Sequence, residues 1–280
     1  MGGFAAQFSG LRAQVQAQKA VPQKPAPRRA VAPGAPMRAM AGEARLKVTT
    51  LDMLSAAAIP NVGAFQVRGI DISHYQGAID WSKVKTDGLS FVYVKATEGA
   101  DGVDDQFAAN WQGAAGAGLS RGAYHFYNFC KTGAEQAANF VAQVPADADA
   151  LPATIDLEES GDCGTMPDKA AFRKELADFV AKLKAAYGHT PILYVNYSIY
   201  DKYFSGENDA YRLWIADTNH ESPALPNNAS WTMWQYGWHG SAAGISGEVD
   251  LDVFNGTPEM LAALPADNSV MVASLGPNLR

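Results

Sequence analysis

The chain has 280 residues, 48% hydrophobic and 10% aromatic, enough to bury one large core without staples. Its net charge of −7 is uneven: residues 1–50 hold eight bases (Arg12, Lys19, Lys24, Arg28, Arg29, Arg38, Arg45, Lys47) against Glu43 alone, leaving 14 bases and 28 acids, or −14, in the rest. An acidic body excludes nucleic acid as the main partner, no apolar run reaches the ~18 residues of a membrane span, and two cysteines are too few for a disulfide scaffold or a zinc site.

Residues 1–62 read as a basic N-terminal arm and linker, largely disordered. Residues 5–19 have the spacing of a short amphipathic helix, residues 20–42 are Pro/Ala-rich and basic, as linkers are, and an apolar patch from Leu51 to Ile59 is placed to pack on the body. The start lacks the charged and apolar regions of an ordinary secretory signal. It is acid-poor like a transit peptide, but nearly Ser-free.

From Gln66 the character changes. Short β-rich runs recur at 66–71, 89–99, 121–129, 153–160, 191–198, 211–217, 231–237 and 248–255. Stretches with apolar residues at three-to-four spacing, hence helical, lie at 104–118, 133–144 and 167–188. The last has Pro167 at its start and Gly188 as its cap. Strand and helix alternate five times, then strands follow with little helix between them. Such alternation predicts an α/β fold with a parallel sheet, and eight strands suit a closed, TIM-like β/α barrel. Residues 63–262 are assigned to the barrel and 263–280 to a C-terminal tail.

Active residues of such a barrel sit at the C-terminal ends of its strands, where this sequence concentrates polar side chains. Asp156 and Glu158, at i and i+2 in TIDLE, point to one face of a strand. Two inward carboxylates raise each other's proton affinity and can take different protonation states, which glycoside cleavage needs; the plainer reading is two solvated acids past a strand end. Asp71 ends the first strand, Asp250 and Asp252 lie at i and i+2 in the last, and first and last strands are neighbours in a closed barrel. Asp71, Asp156, Glu158 and Asp250 thus ring one mouth. Asp217 ends the sixth strand and is either a site acid or a loop acid. Aromatics cluster at the same ends (Tyr75, Tyr124, Phe126, Tyr127, Tyr194, Trp214, Trp234, Tyr236, Trp238), fit either for stacking on sugar faces or for the core. His125 is placed as a hydrogen-bonding group in the mouth. The histidines show no metal spacing, no cofactor is called for, and GAAGAG at 113–118 lacks a P-loop Lys and reads as close packing.

Residues 67–256 resemble the glycoside hydrolase family 25 lysozymes, the Chalaropsis-type N-acetylmuramidases. The resemblance rests on DISHYQG from Asp71 to Gly77, Trp81, and FVYVKATEG at 91–99, followed in order by GAYHFY, LPATIDLEES, ILYVNYS, LWIAD, WQYG and VDLDVFNG. It implies a barrel of five β/α units and three further strands, and hydrolysis of the β-1,4 bond between N-acetylmuramic acid and N-acetylglucosamine of bacterial peptidoglycan, with retention. Glu158 matches the general acid/base, Asp156 its partner, and Asp71 and Asp250 the other acids. Within these motifs Tyr75, Lys95, Glu98, Tyr124, His125, Tyr194, Asn196, Trp214, Asp217 and Gln235 are the expected sugar-binding side chains. Two departures stand out: Asp252 replaces a common Asn, and Asp217-Thr218 stands where an aromatic is common. The nucleophile is either the substrate's N-acetyl oxygen, oriented by Asp156, or a carboxylate, Asp156 or Asp250.

Such an enzyme acts on the wall as a monomer, extracellular or periplasmic, delivered by a non-standard exporter, as a phage lysin or as an injected effector. Alternatives of other classes are a non-catalytic glycan-binding barrel and the wall-opening head of a delivery assembly docked through the arm. Cys130 follows the third strand and Cys163 the fourth, at similar distances beyond Phe126 and Glu158. Loops leaving one rim from adjacent strands, ~4.8 Å apart, bring the two within disulfide range; otherwise they are unrelated thiols.

Overall fold

The β-rich runs form strands β1 Val67–Ile72, β2 Phe91–Glu98, β3 Gly102–Val103, β4 Ser120–Phe126, β5 Thr154–Leu157, β6 Ile192–Val195, β7 Arg212–Ala216, β8 Met233–Gly240 and β9 Val249–Phe254. Helices α1 Trp81–Thr86, α2 Phe107–Gly116, α3 Gly133–Gln143, α4 Lys169–Tyr187, α5 Tyr197–Tyr203 and α6 Pro258–Ala263 complete them. This computed structural model describes residues 60–159, 163–206 and 211–266. The expectations for the arm, its helix and linker, the Leu51–Ile59 patch and most of the C-terminal tail lie outside the described residues.

The sheet runs β1-β9-β8-β7-β6-β5-β4-β2-β3, and pairing of β1 with β2 closes it. β3 is a two-residue hairpin partner of β2, so eight strands form the barrel. The first five barrel strands β1, β2, β4, β5 and β6 are each followed by a helix, and β7, β8 and β9 complete the wall. One expectation needs correcting: the sheet is not wholly parallel, because β9 runs antiparallel to both β8 and β1. Only residues 241–248 join β8 to β9. A parallel crossover needs a dozen or more residues, whereas a short connection returns antiparallel.

Alternation along each strand divides the core into two layers. Val92, Val94, Ala123, Ile155, Leu193 and Ile215 face outward, to Phe140, Phe172, Leu176 and Phe179 of α3 and α4. Phe91, Tyr93, Tyr194, Trp214, Met233 and Phe254 fill the barrel, with Leu261 of α6 and Leu264 joining that interior cluster. The large interior rings need empty neighbours. A Cβ on Gly69 would collide with the Phe91 ring, and one on Gly122 with the Tyr93 ring.

Helix α4 starts two residues beyond Pro167, where the Asp168 carboxylate caps Ala171 N at 2.8 Å. It ends at Gly188 with φ 81°, a left-handed cap that glycine adopts freely. Of the GAAGAG glycines, Gly113 of α2 packs directly on the Trp81 indole, while Gly116 faces open space and Gly118 takes a left-handed φ of 69° after the helix. The packed body extends slightly past both expected ends. Asn61 N donates to the Glu221 carbonyl at 2.9 Å, Phe65 lies against Trp231 and Trp234, and Leu264 is buried. Cys130 and Cys163 are disulfide-bonded, with Cα atoms 5.5 Å apart. Among the described residues no helix is long and apolar enough to cross a membrane.

Candidate active site

The acids converge because the strands that carry them do. Asp71 is the penultimate residue of β1, and Asp250, opposite it in register, is the second residue of β9. Reversal of β9 therefore brings its beginning to the mouth. Asp156 lies in β5 beside Tyr194 of β6 and Phe126 of β4. Glu158 follows one residue after β5 ends. These four carboxyls line a cleft of about 240 Å³, together with Tyr75, Lys95, Tyr124, Tyr194, Trp214 and Gln235.

A hydrogen-bond network fixes the floor. Gln235 Nε2 donates to Asp71 Oδ2 at 2.8 Å, while Gln235 Oε1 accepts from Tyr194 Oη and Trp238 Nε1, each at 2.8 Å. Lys95 pairs with Glu98 at 2.7 Å and lies over the Phe126 ring. The rim is carried by the 3-10 turn His74–Gln76. Ser73 and Gln76 cap it reciprocally, and the buried Asp104 accepts from His74 N at 2.9 Å and lies 2.8 Å from its ring. Tyr75 on this turn is 80% exposed, and Trp238 of β8, bonded to Gln235, is 50% exposed.

Burial and crowding govern the protons. Burial pushes Asp71 up to about 6, restrained by the Gln235 hydrogen bond. Burial, then the nearby Asp71 and Glu158, pushes Asp250 up to about 8. Asp156 goes well above the carboxylate range through burial and repulsion from Glu158 and Asp71. Glu158 is raised by burial and by Asp71, with Lys95 opposing. The cluster therefore holds both acid and carboxylate forms near neutrality, as proton transfer to and from a substrate requires.

Ten of the fourteen side chains expected from the sequence meet in this cleft, and four do not line it. His125 is not in the mouth: Tyr124 and Phe126 point inward, so period-two alternation turns His125 outward. It is fully buried between the sheet and the helices, 2.7 Å from Thr97 Oγ1 and 3.2 Å from Gln136 Oε1, against Phe140 and Phe179. Asn196 caps α5 through Ile199 N at 2.9 Å. Asp217 is buried and fully engaged, accepting from Tyr197 Oη and Asn219 N and lying against His220. Glu98 pairs with Lys95 but does not line the cleft. Sequence reasoning missed Asp104, Gln76 and Thr154. Gln76, in the DISHYQG run, and Thr154, in LPATIDLEES, lay within quoted motifs, whereas Asp104 lay in none.

Comparison with known proteins places this arrangement. The model of the glycosyl hydrolases family 25 matches residues 70–245. Lysozyme M1 of Streptomyces globisporus is 37% identical over 208 residues, 71% of each chain. The N,O-diacetylmuramidase of Chalaropsis sp. is 31% identical, over 66% of this chain and 96% of its own. Among solved structures, the lysozyme of Streptomyces coelicolor superposes with a TM-score of 0.68 at 36% identity, covering 72% of this chain and 98% of its own. A family 25 glycosyl hydrolase of Bacillus anthracis gives 0.69 at 30% identity, covering 76% and 99%. With its family model matched along most of the barrel and its acids gathered at one mouth, the chain belongs to family 25 of the glycosyl hydrolases.

Proposed function

We propose that this protein is a retaining N-acetylmuramidase that cleaves the β-1,4 bond between N-acetylmuramic acid and N-acetylglucosamine in bacterial peptidoglycan. The observation that carries the reading is the pair Asp156 and Glu158, two residues apart at the end of β5 and both lining the acid cleft. The names of the lysozyme and muramidase relatives support the substrate.

Glu158, raised in proton affinity, protonates the glycosidic oxygen as the C1–O bond breaks. The acetamido carbonyl oxygen of the same sugar attacks C1 from the opposite face, its N–H oriented by Asp156. Glu158, now ionised, takes a proton from water as that water attacks C1 and the bond from C1 to the acetamido oxygen breaks, so configuration is retained. Asp71, with the lower of the two stated proton affinities in the cluster, supplies negative charge toward the oxocarbenium-like centre. Tyr75 and Trp238 offer exposed faces to sugar rings. The Cys130–Cys163 bridge suits an oxidising place of work outside the cytoplasm.

The test is Glu158→Gln. Wall lysis should fall at least ~100-fold with the folding transition unmoved, and borohydride reduction of wild-type digests should label muramic acid ends. Retention of more than about a tenth of the activity, or labelled glucosamine ends, refutes the assignment.

A further inference from the structure

We infer that Asp252 works as a protonated carboxylic acid, a buried donor that positions Asp71 beneath the catalytic pair. Asp252 lies one pleat below Asp250 on β9, in register with Gly69 of β1 and Gln235 of β8. It is fully buried and stands outside the cleft lining, so it touches no substrate. Gly69, its partner across β1, has no side chain, and the Phe91 ring packs on it.

The donor and acceptor accounting forces the assignment. Asp252 Oδ1 accepts from Trp214 Nε1 at 3.0 Å, while Oδ2 is buried and no donor reaches it. An ionised carboxylate with a bare buried oxygen is costly. The neighbouring group is Asp71, another acceptor, already engaged by Gln235 Nε2. Two carboxylates cannot hydrogen-bond to each other. One proton on Asp252 Oδ2 removes the orphan and gives Asp71 a second donor.

The surrounding charges favour the same placement. Asp252 is influenced by Asp71 on β1 and Asp250 on its own strand, and it acts on the phenols Tyr93 of β2, Tyr194 of β6 and Tyr236 of β8. Asp71 in turn acts on Asp156, Glu158 and Tyr124. Burial, then Asp71, drives Asp252 well above the carboxylate range, while Asp71 reaches only about 6. The proton stays on the lower group, and Asp71 above it remains available as an anion.

The role rests on the muramidase reading, in which Asp71 serves as the charged partner of the cleft. Two variants and a spectrum test it. In Asp252→Asn the amide oxygen still accepts from Trp214 and the amide N–H donates to Asp71. In Asp252→Leu the donor is gone. The leucine variant should move the acid limb of kcat/KM to higher pH by about one unit or more, and the asparagine variant should restore the wild-type limb. The infrared difference between wild type and Asp252→Asn at neutral pH should show the carbonyl stretch of a protonated carboxylic acid. A tenfold loss in Asp252→Asn, an unshifted limb in Asp252→Leu, or no such band overturns the inference. The infrared band reports on Asp252 whether or not Glu158→Gln upholds the reaction, so the two failures are distinguishable.

Discussion

Removing the Cys130–Cys163 bridge should lower stability substantially without dismantling the barrel. The bond joins the loop after β4 to the loop after β5, with a sequence separation of 33. In the chain-entropy description, freeing a loop of that size destabilises by about 3–4 kcal/mol. For a domain of this size each kcal/mol moves the midpoint by roughly 2–4 °C, so the fall should be about 6–16 °C. Scanning calorimetry of the Cys130→Ala/Cys163→Ala variant measures it. Wild type in excess reductant is the control, because Cys163 sits in the core and its truncation adds a packing loss that reduction does not. Agreement of the two within a few degrees assigns the effect to the cross-link. A reduced wild type melting within about 2 °C of the oxidised one would show that the loop after β5 is held by its other contacts, and the entropic reasoning would fail.

The acid cluster also makes stability depend on pH in an unusual direction. A free Asp loses its proton near pH 3.9, whereas folded Asp71 keeps it to about 6 and Asp250 to about 8. Between those values the unfolded chain has already released protons that the fold still binds, so rising pH favours unfolding. The midpoint should fall from about pH 4 to about pH 8, and Asp250→Asn should flatten the upper part of that slope; equal slopes in the two proteins would refute the assignment. His125→Ala should cost about 2–4 kcal/mol through a cavity against Phe140 and Phe179 and lost bonds to Thr97 and Gln136, with specific activity at 25 °C within about twofold. A rise in KM for glycan would instead put the imidazole within reach of substrate.

The barrel and most of its site were legible because the chemistry coincides with strand periodicity. The pair Asp156 and Glu158 is visible as i and i+2, and Asp71 meets Asp250 once the ends of the sheet are joined. The cysteine pair followed from adjacent strands leaving one rim. The reversal of β9 was hidden, since alternating residues read the same in either direction; the short connection at 241–248 was the available clue. Helices α1 and α5, of six and seven residues, are too short to display a helical period. His125 was misplaced although its neighbours Tyr124 and Phe126 already implied the opposite face. Asp104 gave no signal, because its partner His74 is 30 residues away and joined to it only by the fold.

The alternation that separates Tyr124 and Phe126 from His125 also constrains which lengths of chain the architecture can accept. One residue gained or lost inside β4 would exchange the two faces, sending an imidazole into the acid floor and a tyrosine into the helical layer. The same holds for β5, where a slip would turn Ile155 and Leu157 toward the cleft in place of Asp156. Insertions and deletions are therefore confined to the loops, such as 104–106, 128–132 and 217–225. Variation in what such a barrel grips should accumulate as loop length at the rim, while the strands beneath change by substitution alone.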